Sequence, residues 1–270
     1  MLIDTHCHLD ASEFDADRDA VISAAIENDV QMMVIPAVES ANFSQVIRLA
    51  ETQTHCAYAL GIHPMYVPQA QPADLATLEA TIHQQINLGF PPMAIGEIGL
   101  DFFVEGYDKA LQAFYFVEQL KLAKKFDLPV ILHVRRAIDE ILKYLRLYKV
   151  RGGIAHAFNG SYQQAEQFIE LGFKLGFGGA MTYPRALKIR ELASRLPIEA
   201  IVLETDAPDI PPEWIKTGGR NSPSQLKKIN ESLADLRGIN APQVAEITTK
   251  NALEILPNLA KLFTRDKVLL

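Results

Sequence analysis

The chain has 270 residues, of which 49% are hydrophobic and 22% charged, a balance that excludes a disordered or fibrous protein. Its net charge of −7 argues against a protein that wraps extended duplex, because phosphate neutralisation needs basic surface; one strand end or a small anion can still be held through bound cations. Two cysteines, Cys7 and Cys56, make no disulfide framework, no apolar run reaches the roughly 18 residues that span a bilayer, and Met1 to His6 show no basic region ahead of an apolar stretch, so a cytoplasmic, monomeric protein with no membrane contact is expected.

Short apolar runs alternate with longer amphipathic segments along the chain. A strand at 2–4 is followed by a helix at 17–28, a strand at 31–36 by a helix at 41–53, and a strand at 56–60 by a helix at 74–88. The rhythm continues with strand 93–98 and helix 107–126, strand 129–133 and helix 137–148, and strand 153–157 and helix 162–171. Strand 173–177, helix 185–196 and strand 201–204 complete the series. The strands are continuous apolar runs, as in a parallel sheet buried on both faces. Eight such units without a compositional break predict an α/β fold, a TIM (β/α)₈ barrel forming a single domain over 1–262. A Pro/Gly-rich loop is expected at 207–223, closing helices at 222–262 and a loose tail at 263–270.

Four of the seven histidines fall at or just past predicted strand ends. His6 and His8 follow the first strand, His133 ends the fifth and His156 lies in the sixth. Glu97 lies near the end of the fourth strand and Asp206 just after the eighth. A barrel brings these ends to one face, so six residues distant in sequence would surround one point. Neutral imidazoles and carboxylates are the usual ligands of a catalytic divalent ion. In extended chain His6 and His8 point one way and Cys7 the other. A carboxylate such as Glu97 can bridge two ions, which together clamp the attacking and leaving oxygens of a displacement. Asp206 can bind metal and also serve as general base. His55 and His83 are read as solvated, Cys7 and Cys56 as small buried residues, and Trp214 as loop packing.

Seven motifs carry a family resemblance. They are Asp4-Thr5-His6-Cys7-His8-Leu9-Asp10, Gly61-Ile62-His63-Pro64, Gly96-Glu97-Ile98-Gly99-Leu100-Asp101, Pro129-Val130-Ile131-Leu132-His133-Val134-Arg135, His156-Ala157-Phe158-Asn159-Gly160, Glu204-Thr205-Asp206-Ala207-Pro208 and Arg220-Asn221-Ser222-Pro223. In order and spacing, over almost the whole chain, they resemble the TatD family of metal-dependent deoxyribonucleases within the amidohydrolase superfamily. The resemblance implies a TIM barrel with two divalent ions, one on His6, His8, Glu97 and Asp206 and the other on Glu97, His133 and His156. Zinc is expected as bound, with magnesium or manganese supporting activity. It implies phosphodiester hydrolysis at DNA ends, as a 3′–5′ deoxyribonuclease, by metal-activated water with Asp206 as general base. His63, Arg135 and Arg220 occupy motif positions near the expected pocket and are read as substrate contacts, the alternative being structural: His63-Pro64 shaping a loop and the two arginines pairing with acidic neighbours. Phe102, Asn159 and Met65 stand where the family often has a hydroxylated aromatic, Ser and His; these departures bear on substrate preference and spare the ligands.

The alternative is a hydrolase of small esters, lactones or amides from the same superfamily. Many of those bridge their metals with a carboxylated lysine at the fourth strand, where this chain has Glu97. Fold alone does not decide between these substrates.

Overall fold

Eight short apolar segments form strands because their side chains are buried on both faces, and in a computed structural model they lie parallel. The structure describes residues 1–216 and 218–266. The strands are β1 (Leu2–Asp4), β2 (Val30–Pro36), β3 (Cys56–Ala59), β4 (Ile95–Asp101), β5 (Val130–Arg135), β6 (Gly153–Ala155), β7 (Phe173–Phe177) and β8 (Ile201–Leu203). The first three and the last five form two continuous ladders. A parallel bridge between Leu60 and Ile95 joins β3 to β4. The ring closes where Thr5 N donates to Leu203 O (3.1 Å) and Asp206 N to His6 O (2.9 Å). The eight-stranded α/β barrel expected from the sequence is therefore complete.

Between the strands run α1 (Arg18–Glu27), α2 (Phe43–Thr52), α3 (Pro72–Asn87), α4 (Lys109–Phe126), α5 (Ile138–Tyr148), α6 (Tyr162–Glu170) and α7 (Leu187–Arg195). Several start on side-chain caps that satisfy their first amides. Asp108 accepts from Ala110 N and Leu111 N at α4, and Ser161 and Gln164 bond reciprocally at α6. Pro72 opens α3, ahead of the start expected at 74, because proline has no amide to satisfy there. The closing helices are α8 (Leu226–Arg237), α9 (Ala241–Ile255) and α10 (Pro257–Asp266). The last of these runs into the segment expected to be a tail from 263; residues 267–270 lie outside the described residues. None of the described helices is long and apolar enough to cross a membrane.

Apolar side chains form two clusters. One lies between the strands and the helices that cover them. The other fills the barrel lumen, where Ile3, Val34, Ile131, Ile154 and Val202 meet Leu256, between the last two helices, and Leu259 of the last. Period-two alternation then sends the residues two places further along a strand into the same lumen. For Ile131, Ile154 and Val202 those residues are His133, His156 and Glu204.

The ends of β4, β5 and β6 differ most from expectation. β4 runs to Asp101 and β5 to Arg135, because Gly99, Leu100 and Asp101 stay in register with His133, Val134 and Arg135. Glu97 and His133 consequently sit inside paired strands rather than at their ends. β6 stops at Ala155, so His156 stands just outside it.

Candidate metal centre

The polar end of the lumen gathers His6, His8, Glu97, His133, His156 and Asp206. Glu97 is at the middle of the group, almost fully buried. Its Oε2 lies 3.1 Å from His6 Nε2 and 3.5 Å from His8 Nε2. Its Oε1 lies 3.0 Å from His133 Nδ1 and 3.7 Å from His156 Nε2. Asp206 Oδ1 lies on the Oε2 side, 3.5 Å from His6 Nε2 and 3.7 Å from His8 Nε2. The two oxygens of one carboxylate thus face two different sets of donors.

The donor set fits divalent cations. His6 Nε2 and His8 Nε2 face each other at 3.2 Å, an approach that sets two lone pairs together unless a proton or cation lies between. Ligand bonds of about 2.1 Å in a tetrahedron leave ligand atoms about 3.4 Å apart. His6 Nε2 and His8 Nε2 each lie 3.1 to 3.7 Å from Glu97 Oε2 and from Asp206 Oδ1. Three overlapping trios satisfy a metal-site geometry: His6, His8 and Glu97; His6, His156 and Asp206; and His63, Glu97 and His133.

Electrostatics keep these groups in ligating form or hold protons in the place of cations. Burial and the charge of His156 push the His6 ring down to about 3, so it stays neutral. Burial opposes charge on His8, but Glu97 and Asp206 outweigh it and lift the ring to about 9. On His156 burial is likewise overcome, by Glu204 and Asp206, and the ring rises to about 10. Burial would raise Glu97, but the surrounding histidines hold it well below the usual carboxylate range. Asp206 goes the other way: burial raises it to about 6 against the pull of His156 and His8.

Two acids orient the rings, and the sequence reading gave neither a role. Asp101 Oδ2 lies 3.0 Å from His133 Nε2, which leaves Nδ1 turned to Glu97. Glu204 Oε1 lies 3.3 Å from His156 Nδ1, which leaves Nε2 turned inward. Carboxylates on the far nitrogen fix the tautomer and raise the basicity of a ligating histidine. Glu204 also accepts from Ala157 N at 2.6 Å, and fits only because residue 176 is glycine; a Cβ there would lie 2.1 Å from Glu204 Oε2. Both acids stand in motifs quoted above, and Glu204 shares the alternation that places Asp206. Asp4 braces the opposite side. It accepts from Thr205 N, Thr205 Oγ1 and His6 N, tying β1 to the segment that carries Asp206.

The three expected substrate contacts separate. His63 lies against the group, its Nε2 3.4 Å from Glu97 Oε1. Its Nδ1 accepts from Met65 N at 3.1 Å, and burial lowers its pKa. A neutral ring accepting at Nδ1 carries its proton on Nε2, so His63 presents a donor there rather than a metal-binding lone pair. Arg135 lies at the rim, its Nη1 3.9 Å from Asp101 Oδ2. Arg220 is not brought to the group. Both its terminal nitrogens bond Asp17, one also bonds Glu13 O, and the guanidinium lies over Phe14. That arrangement joins the 207–223 loop to the segment before α1. Of the remaining histidines, His55 is half-buried and its Nδ1 meets Gln31 O, which differs from the solvated state expected, while His83 is exposed. Trp214 packs in its loop and donates to Gln225.

A family model described as TatD-related DNase matches residues 3–257. The chain belongs to the TatD family. It is 40% identical over 250 residues to the uncharacterized metal-dependent hydrolase YjjV of Escherichia coli K12, covering 92% of this chain and 95% of that one. It is 32% identical over 272 residues to human deoxyribonuclease TATDN3, covering 98% and 97% respectively. The crystal structure of Escherichia coli YjjV superposes with a TM-score of 0.90 at 38% identity, covering 95% of this chain and 98% of that chain.

Proposed function

We propose that this chain, a metal-dependent hydrolase of the TatD family, cleaves phosphodiester bonds at DNA ends, entering from the 3′ end, with two divalent ions. The observation that carries the reading is the division of Glu97, whose two oxygens face separate donor sets. His6, His8, Glu97 and Asp206 would hold one ion, and Glu97, His133 and His156 the other. Imidazole and carboxylate donors suit zinc, with manganese or magnesium as activating alternatives. When bound, such a pair supplies Lewis acidity at a phosphoryl oxygen and acidifies water.

The residues divide the remaining work. Asp206, which burial raises, is ionised near neutral pH and can take the proton of the attacking water. Glu97 is held too acidic for that task and stays an anion that both donor sets share. His63 offers its Nε2 proton to a phosphoryl oxygen, and Arg135 offers a guanidinium at the rim. The name of the human relative, a deoxyribonuclease, supports DNA as substrate. The Glu97 side chain at the fourth strand supports this branch of the superfamily over the one that uses a carboxylated lysine.

The test strips the protein of metal and reloads it with zinc, manganese or magnesium. It is then given 5′-labelled single-stranded DNA, a generic phosphodiester, a phosphomonoester and a lactone. Stepwise shortening that needs metal is expected, with a loss of about a thousandfold in Asp206→Asn. Turnover of the lactone alone would move the protein to the small-molecule alternative. Normal turnover by Asp206→Asn would remove the role given to Asp206.

A further inference from the structure

Beside the metal centre, Phe103 presents a large apolar ring to solvent, 42% exposed, just past the end of β4. Two guanidiniums lie against it, Arg135 with its Cζ 3.7 Å from the ring centroid and Arg136 at 4.4 Å. Both arginines are exposed, and neither side chain donates a hydrogen bond to any described residue. Arg135 only approaches Asp101, at 3.9 Å. Elsewhere Arg18, Arg151, Arg195 and Arg220 each pair closely with an acid. Two like charges against one ring, with their donors unspent, are a local positive patch on an acidic protein.

The patch is tied to the centre through one side chain. Asp101 Oδ1 accepts from Phe103 N at 2.9 Å while Oδ2 faces His133 Nε2 at 3.0 Å. The backbone that carries the Phe103 ring and the histidine proposed to bind metal are therefore held by the same carboxylate.

We infer that Phe103, Arg135 and Arg136 form a subsite for single-stranded nucleic acid next to the scissile phosphate, an inference that rests on the phosphodiesterase reading. A base stacks on Phe103 in place of one guanidinium, and the freed guanidinium turns to the flanking phosphate. The exchange keeps a stacked ring and gains charge-assisted hydrogen bonds. The preferred substrate class is a strand of at least two nucleotides with unpaired bases. A mononucleotide or a lactone would reach the metals without touching this surface.

The test measures fluorescence anisotropy of a labelled single-stranded oligonucleotide on full-length, metal-loaded Asp206→Asn, with and without Phe103→Ala. Kd is expected to rise about tenfold with Phe103→Ala and to return to within about twofold with Phe103→Trp. The Trp variant separates lost stacking from a damaged fold. Arg136→Ala is expected to flatten the slope of log Kd against log salt by about 0.7. Equal Kd values for the Ala, Trp and Phe forms overturn the subsite, as does an absence of strand binding. If wild type cleaves phosphodiesters and Phe103→Ala binds the strand normally, the subsite fails and the proposed function stands. If wild type cleaves no phosphodiester while Phe103→Ala still weakens strand binding tenfold, the proposed function fails and with it the place beside a scissile phosphate, and a strand-binding surface alone stands.

Discussion

At one end of the barrel lumen Ile131, Ile154 and Val202 close on Leu256 and Leu259; two residues further along the same strands stand His133, His156 and Glu204. Side chains alternate inward at both ends, although β6 and β8 stop one residue before His156 and Glu204. What differs is the side chain that the alternation delivers. At the apolar end burial is favourable for every group, so the end needs no partner beyond tight packing. At the polar end burial is unfavourable for every charge taken alone, and the groups become compatible only through one another and through cations. The comparison separates residues that make the barrel from residues that make the chemistry, although they share strands.

Breaking either end tests that separation. Truncation at the polar end, His133→Ala, should cut turnover of a phosphodiester by at least about a hundredfold and weaken metal binding. The unfolding midpoint of the metal-free protein should shift little. The same truncation two residues earlier, Ile131→Ala, should cost about 2–5 kcal/mol of stability through the cavity it leaves, while kcat of the folded fraction stays close to wild type. Denaturant titration beside steady-state kinetics reads both. Equal stability losses for the two variants would mean that the ends are not distinct.

Protons sharpen the comparison. Without metal, His8 at about 9 and His156 at about 10 are charged at neutral pH, against an ordinary value of 6.5. Cations must displace those protons. Metal binding should therefore release protons near pH 7 and tighten as pH rises, which calorimetry in buffers of different ionisation enthalpy detects. Proton uptake on binding would contradict the electrostatic reading. In the metal-loaded enzyme the carboxylate form of Asp206 is the active one. A bound cation favours that carboxylate, so the acid limb of kcat/KM, falling about tenfold per pH unit, should lie below the value of about 6 that burial gives the group without metal.

The smallest effect is expected at Arg220. Its guanidinium is committed to Asp17 and Glu13, so Arg220→Ala should change small-diester kcat/KM by no more than about twofold. A tenfold rise in KM for the diester would return Arg220 to the substrate site.

Much of this was legible in sequence because a doubly buried strand is a plain apolar run. β7 was readable to the residue, and Leu2–Asp4 likewise. The same signal stopped short at β4 and β5, whose ends pair Asp101 with Arg135. Polar residues at a barrel mouth stay in the ladder, although they do not resemble a buried strand. The six donors could be picked out because strand ends converge in a barrel. Their supports could not. Asp101 orients His133 only through cross-strand register, and Glu204 orients His156 only through the space left by Gly176. Arg220 shows the same limit in reverse. Its motif position lies close to the site in sequence terms, and only the tertiary contact with Asp17 shows where its charge is used.

The central claim is that Glu97 divides two metal ions, and anomalous diffraction from a zinc- or manganese-loaded crystal tests it most directly. Two peaks roughly 3.5–4 Å apart are expected. One should lie on Glu97 Oε2 with His6, His8 and Asp206, and the other on Oε1 with His133 and His156. A single peak at full metal loading, or two peaks with Glu97 touching only one, would contradict it.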